Sequence, residues 1–173
     1  IRFENVWGTS QNIYDTCDRE GVLALVGWSC QWEWEVYTGK PNDRFGCIST
    51  EEDMDLIAES FRHQVLWLRN HPSIICWYGA SDMLPRPALE QRYLDILAEI
   101  DDRPYTVHAG SAKSALSGPA GMKMWGPYEW QAPYYWYSEE AKGNAVGFNT
   151  EIGIGAQLPV YESLVKMIPE DQL

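Results

Sequence analysis

An α/β fold built on a mostly parallel sheet follows from three features of the sequence. Short apolar runs rich in β-branched and aromatic residues, such as Val22 to Val26 and Ser73 to Tyr78, read as buried strands. Stretches with apolar residues at three- and four-residue steps lie between them, so that strand and helix alternate about six times. Neither GxGxxG nor GxxxxGK[ST] occurs, so the turns that hold a nucleotide on a doubly wound sheet are missing. What remains is a partial (β/α)8 TIM barrel spanning strands two through seven, with residues 1–173 as one partial barrel domain.

Ile1 to Trp7 reads as a strand already under way, so the natural N-terminus is expected to lie upstream. Asn12 to Glu20 is a short helix with Ile13, Tyr14 and Cys17 facing inward, and Gly21 suits the left-handed residue that ends it. Val22 to Val26 is an unbroken apolar strand stopped by Gly27. The stretch from Trp28 to Ile48 is too long for a plain connection and mixes polar with aromatic residues, as functional loops do. Ser49 with Glu52, or Thr50 with Asp53, forms a capping box. Behind it Met54, Ile57, Ala58, Phe61, Val65 and Leu68 make one stripe of a helix that runs to about Arg69. His71-Pro72 ends that helix, and the strand Ser73 to Tyr78 begins at once.

Pro87 opens the next helix, with Leu89, Tyr93, Ile96, Leu97 and Ile100 inward. Tyr105 to Ala109 and the shorter Gly121 to Trp125 are expected strands. Glu139 to Lys142 is an expected helical turn, Ala145 to Thr150 the last strand, and Tyr161 to Met167 the start or middle of another helix. Such a piece has unpaired strand edges and half an apolar interior. It is expected to depend on the rest of a longer chain and to be inactive alone.

The chain is long enough for a substantial core, and 45% hydrophobic residues argue against disorder. No run of 18 apolar residues offers a membrane span, and no basic segment followed by an apolar one offers a signal peptide. With 25 acidic against 13 basic side chains the net charge is −12, which makes a phosphate backbone and hence nucleic acid a poor partner. Cys17, Cys30, Cys47 and Cys76 form no CxxC and no zinc spacing, and His63 and His71 are not on one face at ligand spacing, so neither metal nor cofactor is implied. Cys17 and Cys76 read as small buried hydrophobes, whereas a Cys30–Cys47 bridge stays open in an oxidising compartment. Nine tryptophans and ten tyrosines exceed what such a core needs. They cluster in Trp28 to Trp34, Trp125 to Trp130 and Tyr134 to Tyr137, as loops that stack on sugar rings or pack over a rim.

Two carboxylates stand where a strand should end. Asp82 follows the run Ser73 to Tyr78, and Glu151 follows Ala145 to Thr150. The carboxyl ends of parallel strands are where α/β folds bind ligands, and two carboxyl groups beside tryptophans fit acid/base chemistry on a glycosidic bond. Ser81 lacks the GxSxG elbow, which sets serine-hydrolase chemistry aside.

Four segments resemble the catalytic barrel of glycoside hydrolase family 2: Tyr14-Asp15-Thr16-Cys17-Asp18-Arg19-Glu20-Gly21-Val22-Leu23, Leu68-Arg69-Asn70-His71-Pro72-Ser73-Ile74, Gly79-Ala80-Ser81-Asp82 and Phe148-Asn149-Thr150-Glu151. The first two mark the fold. The third is more telling, because most members carry Asn-Glu at the end of the fourth strand and this chain has Ser81-Asp82. That departure, with Gly121 to Tyr128 and Tyr135-Trp136-Tyr137, is similar to the exo-β-D-glucosaminidase branch, which trims chitosan from its non-reducing end. The similarity covers nearly the whole chain and omits the β-sandwich domains that flank the barrel in family 2.

The resemblance implies a retaining exo-glycosidase with a carbohydrate substrate and no cofactor. Glu151 would be the nucleophile and Asp82 the acid/base. Of the remaining residues, Glu4 would contact substrate or pair with Arg2, and Asn149 would bond the sugar or satisfy the barrel interior. Tyr128 would orient the nucleophile and Trp136 form a sugar platform, or both would pack the rim. His108 would bind a hydroxyl or serve structurally. In the branch a Glu follows the pair matching Gly27-Trp28, as part of the amino-sugar pocket. Ser29 stands there instead, so Glu33 or Glu35 would have to replace it. Family 2 β-mannosidase or β-galactosidase specificity and a non-catalytic carbohydrate-binding fragment remain the alternatives.

Overall fold

The computed structural model describes residues 1–4, 10–27, 30–124, 126–137, 148–153 and 159–172. Strands β1 (Arg2–Phe3), β2 (Ala24–Gly27), β3 (Ile74–Tyr78) and β4 (Tyr105–Thr106) form one parallel sheet in chain order. Helices α1 (Gln11–Glu20), α3 (Glu51–Leu68) and α4 (Pro87–Ile100) occupy the three crossovers, and the short α2 (Glu35–Thr38) lies in the long loop after β2. Strand, helix and neighbouring parallel strand repeat without reversal, as in a piece of a (β/α)8 barrel.

Local chemistry explains the helix ends. Ser10 Oγ accepts the Asn12 N–H at 3.3 Å, and Gly21 ends α1 at φ 71°. Thr50 Oγ1 accepts the Asp53 N–H at 3.1 Å. The Asp53 carboxylate meets Lys40 Nζ at 2.5 Å instead of reaching back to Thr50, so only half of the expected capping box forms. Pro87 opens α4, where its missing N–H leaves no gap.

The sheet has two apolar faces. Ala24, Val26, Ile74 and Trp77 face the helices and meet Tyr14 of α1, Phe61 and Val65 of α3, and Leu89 and Tyr93 of α4. Leu25, Cys76, Tyr78 and Ala109 face the other way, with Ile75, Met122 and Met124 against them. Ala24 pairs with Ile74 but Leu25 with Cys76, so β3 carries one extra residue at Ile75. That bulge is why Ile74 and Trp77 share a face although three residues apart. Ile13, expected inward, is 39% exposed, because the short α1 turns only Tyr14 and Cys17 into the core.

Among the described residues there are four strands where six were expected. β4 stops at Thr106 rather than Ala109, as His108 folds back to accept the Gly110 N–H at 2.8 Å. Of the expected strands Gly121 to Trp125 and Ala145 to Thr150, the described residues show one parallel bridge, between Lys123 and Asn149. Gly121 and Gly126 flank this segment at φ 72° and 74°, which turns the backbone out of the extended region on both sides. Residues 145–147 of the expected last strand and the expected turn 139–142 lie outside the described residues.

Asp18 of α1 accepts the Ser73 N–H at 2.9 Å and lies 2.7 Å from His71 Nδ1, tying α1 to the start of β3. Asp15, Asp18 and His71 form the one close group of metal-ligating types among the described residues. It sits at the end of β3 opposite Asp82, and two of its three members are already engaged in this tie. All four cysteines are free; the Cys47 thiol donates to the Lys40 carbonyl at 3.0 Å instead of bridging to Cys30.

The chain divides into two compact units, Ile1–Met124 with Gly147–Glu151, and Trp125–Val146 with Ile152–Leu173. The second unit holds α5 (Pro133–Tyr137) and α6 (Tyr161–Met167); the latter was expected as the start or middle of a helix and is the whole of one, ending at Ile168. Among the described residues no helix is long and apolar enough to cross a membrane.

Candidate active site

The site gathers where β1 and β3 end and where the chain arrives at Glu151. Arg2 is on β1, with its side chain only 6% exposed. Tyr78, the last residue of β3, is pinned beside it: its hydroxyl donates to the Phe3 carbonyl at 2.6 Å and accepts from Arg2 Nε at 3.2 Å. Gly27 is required for this arrangement, because a Cβ there would lie 2.3 Å from the Tyr78 ring.

Arg2 then spans the two candidate carboxylates. Its Nη1 meets Glu151 Oε2 at 3.0 Å, and its Nη2 donates to Ser81 Oγ. Ser81 Oγ in turn donates to Asp82 Oδ1 at 3.3 Å. A single buried guanidinium therefore reaches Glu151 directly and Asp82 through one hydroxyl, so residues 149 positions apart in sequence are joined at one end of the sheet. Arg2 thereby sets a positive charge directly against Glu151. Thr150 fixes the approach to Glu151, its hydroxyl bonding the carbonyls of Ala109 at 2.7 Å and Lys123 at 2.9 Å.

The loop after β2 holds Asp82 from the other side. Glu33 is buried, and its carboxylate accepts three consecutive backbone N–H groups: Ser81 at 2.6 Å on one oxygen, Asp82 at 2.6 Å and Met83 at 2.8 Å on the other. Burial pushes the Glu33 carboxyl from the usual 4.5 up to about 7, against the opposing pull of those three bonds. Trp34 Nε1 donates to Asp82 Oδ2 at 2.9 Å. The sequence gives no signal for the Glu33 contact, since its partners are backbone groups 48 to 50 residues away.

The other expected site residues are placed as follows. Glu4 accepts the Cys30 N–H at 3.0 Å and has its second oxygen 4.0 Å from Arg2 Nη2, so it joins the same edge. Asn149 forms the bridge with Lys123, and its Oδ1 accepts the Glu151 N–H at 3.4 Å. His108 is buried; its Nδ1 accepts the Gly110 N–H, which puts the proton of the neutral ring on Nε2. Glu35 is exposed in the first turn of α2. Both oxygens of Glu33 are taken by backbone donors, which leaves it poorly suited to replace the pocket carboxylate missing at Ser29. Tyr128 belongs to the second unit and is exposed there, with its backbone close to Gly153. Trp136 is on α5 of that unit. Trp28 and Ser29 lie outside the described residues.

No protein-family model matches the chain. Among curated proteins it is 37% identical over 163 residues to an exo-β-D-glucosaminidase of Streptomyces avermitilis, covering 92% of this chain and 18% of that protein. It is 35% identical over 164 residues to an exo-β-D-glucosaminidase of Amycolatopsis orientalis, covering 92% of this chain and 16% of that protein. A crystal structure of the Amycolatopsis orientalis exo-chitosanase CsxA superposes with a TM-score of 0.81 at 31% identity, over 98% of this chain and 20% of that one. A complex of a substituted form of the same protein with PNP-β-D-glucosamine superposes equally well, with a TM-score of 0.81. The chain thus spans about one fifth of the length of the relatives it matches.

Proposed function

We propose, from its similarity across most of its length to exo-β-D-glucosaminidases, that the chain contributes the two catalytic carboxylates of a retaining exo-glycosidase acting on terminal β-linked D-glucosamine. The observation that carries this reading is the buried Arg2 link from Glu151 through Ser81 to Asp82. Glu151, paired with Arg2, attacks the anomeric carbon while Asp82 protonates the departing oxygen. Asp82 then removes a proton from the water that releases the sugar from Glu151. Two charges with different surroundings suit two different roles: Glu151 faces a cation, whereas Asp82 meets one hydroxyl and one indole N–H.

The substrate ammonium requires acceptors. Glu4 and Asp82 border the same edge, and Glu35 lies one residue beyond the indole that reaches Asp82. Asn149, beside the nucleophile, and His108 are offered for sugar hydroxyls, and Trp28 for a ring face. Ser29, in place of a pocket carboxylate, favours a second reading in which the sugar is neutral, as for a β-mannosidase or β-galactosidase. The full-length protein, assayed on nitrophenyl β-glucosaminide, β-mannoside and β-galactoside, decides between them. The glucosaminidase reading predicts the highest kcat/KM on the amino sugar; a preference for either neutral sugar overturns it.

A further inference from the structure

We propose that Glu33 and Trp34 are a positioning pair for Asp82, Glu33 by holding the backbone of residues 81–83 and Trp34 by holding the carboxylate itself. The inference rests on the acid/base reading of Asp82 given above.

The backbone bonds of the sheet end just before this residue. Gly79 N–H still meets the Thr106 carbonyl at 3.0 Å, and the Ala80 carbonyl accepts the Ala109 N–H at 3.1 Å. For Ser81, Asp82 and Met83 the acceptor becomes the Glu33 carboxylate. Three successive N–H groups converging on the two oxygens of one carboxyl group define the path of the chain over those residues, a stronger restraint than any single bond. Glu33 is itself tethered on both sides, its N–H to the Cys30 carbonyl at 2.9 Å and its carbonyl to the Cys47 N–H at 3.2 Å. Gly46 passes close by at φ 79°, and a Cβ there would lie 3.1 Å from the Glu33 carbonyl oxygen.

Trp34 then acts on the side chain. Its N–H occupies Asp82 Oδ2 and the Ser81 hydroxyl occupies Oδ1, so each carboxylate oxygen has one donor and the group has a fixed orientation. A general acid must lie in line with the oxygen it protonates, and small misplacements are costly. Glu33 and Trp34 are adjacent in sequence, so one anchored loop segment sets both the backbone and the carboxylate.

The test uses the full-length protein and two aryl β-D-glucosaminides, one with phenol and one with 2,4-dinitrophenol as leaving group. Only the first needs a proton from the acid. Trp34→Phe keeps the ring and removes the N–H; since Trp34 is 37% exposed, the change leaves the core intact. Its kcat/KM is expected to fall about tenfold on the phenyl substrate and less than about twofold on the dinitrophenyl one. Glu33→Gln loses one of its two acceptor oxygens and is expected to show the same selectivity, with a loss of about a hundredfold on the phenyl substrate. Should Glu33→Gln not fold, Trp34→Phe decides alone. Equal losses on both substrates, or none, in Trp34→Phe overturn the proposal. Asp82→Asn is measured alongside. If it too lacks leaving-group dependence, the acid/base assignment itself fails; if it shows that dependence and Trp34→Phe does not, only the positioning pair fails.

Discussion

Glu33 illustrates how a site residue can act against the stability of its own fold. Its carboxyl is buried with no cationic partner among the described residues, and burial lifts its pKa from the usual 4.5 to about 7. The folded protein therefore holds this proton between pH 4.5 and about 7, where the unfolded chain has already released it. Stability contributed by this group is present below pH 4.5 and is lost as pH rises through about 7, by roughly 3 kcal/mol at most. Glu33→Gln carries no such dependence. Urea unfolding of both forms at pH 5 and pH 8 is expected to show the wild type losing stability relative to Glu33→Gln as pH rises; a relative gain contradicts the assignment. The two carboxylates proposed for catalysis could be singled out from the sequence, because strand ends in an α/β fold are ligand positions, and the structure links them through Arg2 and Ser81. Arg2, Glu33 and Trp34 were not legible in their roles. Each acts on a partner at least 48 residues distant, and only the folded sheet brings them together.

At the scale of elements, what periodicity encodes was legible and what it does not encode was missed. The stripes of α3 and α4 run for 18 and 14 residues, long enough for a 3.6-residue repeat to declare itself. The helices Glu35–Thr38 and Pro133–Tyr137 have four and five residues, too few for any repeat. β4 was read too long because the β-branched and aromatic run from Tyr105 to Val107 does not show that the backbone turns at His108. Gly27 shows how a strand end feeds the site. Its missing Cβ admits the Tyr78 ring, and Tyr78 in turn bonds Arg2. Gly27→Ala is expected to destabilise the protein by about 1–3 kcal/mol through overpacking. It should also lower kcat/KM on the aryl glucosaminide about tenfold or more, by displacing Arg2. Urea unfolding and steady-state kinetics measure the two effects, and full activity with unchanged stability contradicts this account of the contact.

The first unit is a parallel sheet with helices on one face, and the chain matches about one fifth of each relative. The second apolar face, with Leu25, Tyr78 and Met124, carries the Arg2 network at its edge. In this arrangement the sheet supplies position and the loops supply chemistry, which is the division of labour in barrel enzymes. The central claim is that Glu151 and Asp82 divide the reaction as nucleophile and acid/base. The most direct test is the time course of 2,4-dinitrophenyl β-D-glucosaminide cleavage by Asp82→Asn and Glu151→Gln forms of the full-length protein. This leaving group departs without a proton, so Asp82→Asn should release a burst of phenolate and then turn over slowly, with added azide accelerating turnover and yielding the β-glycosyl azide. Glu151→Gln should show neither burst nor azide rescue, because an amide cannot form the glycosyl ester. Exchanged patterns contradict the assignment of roles, and losses of less than about tenfold in both variants, where acid/base catalysis alone contributes about 10²–10⁴, place the chemistry elsewhere.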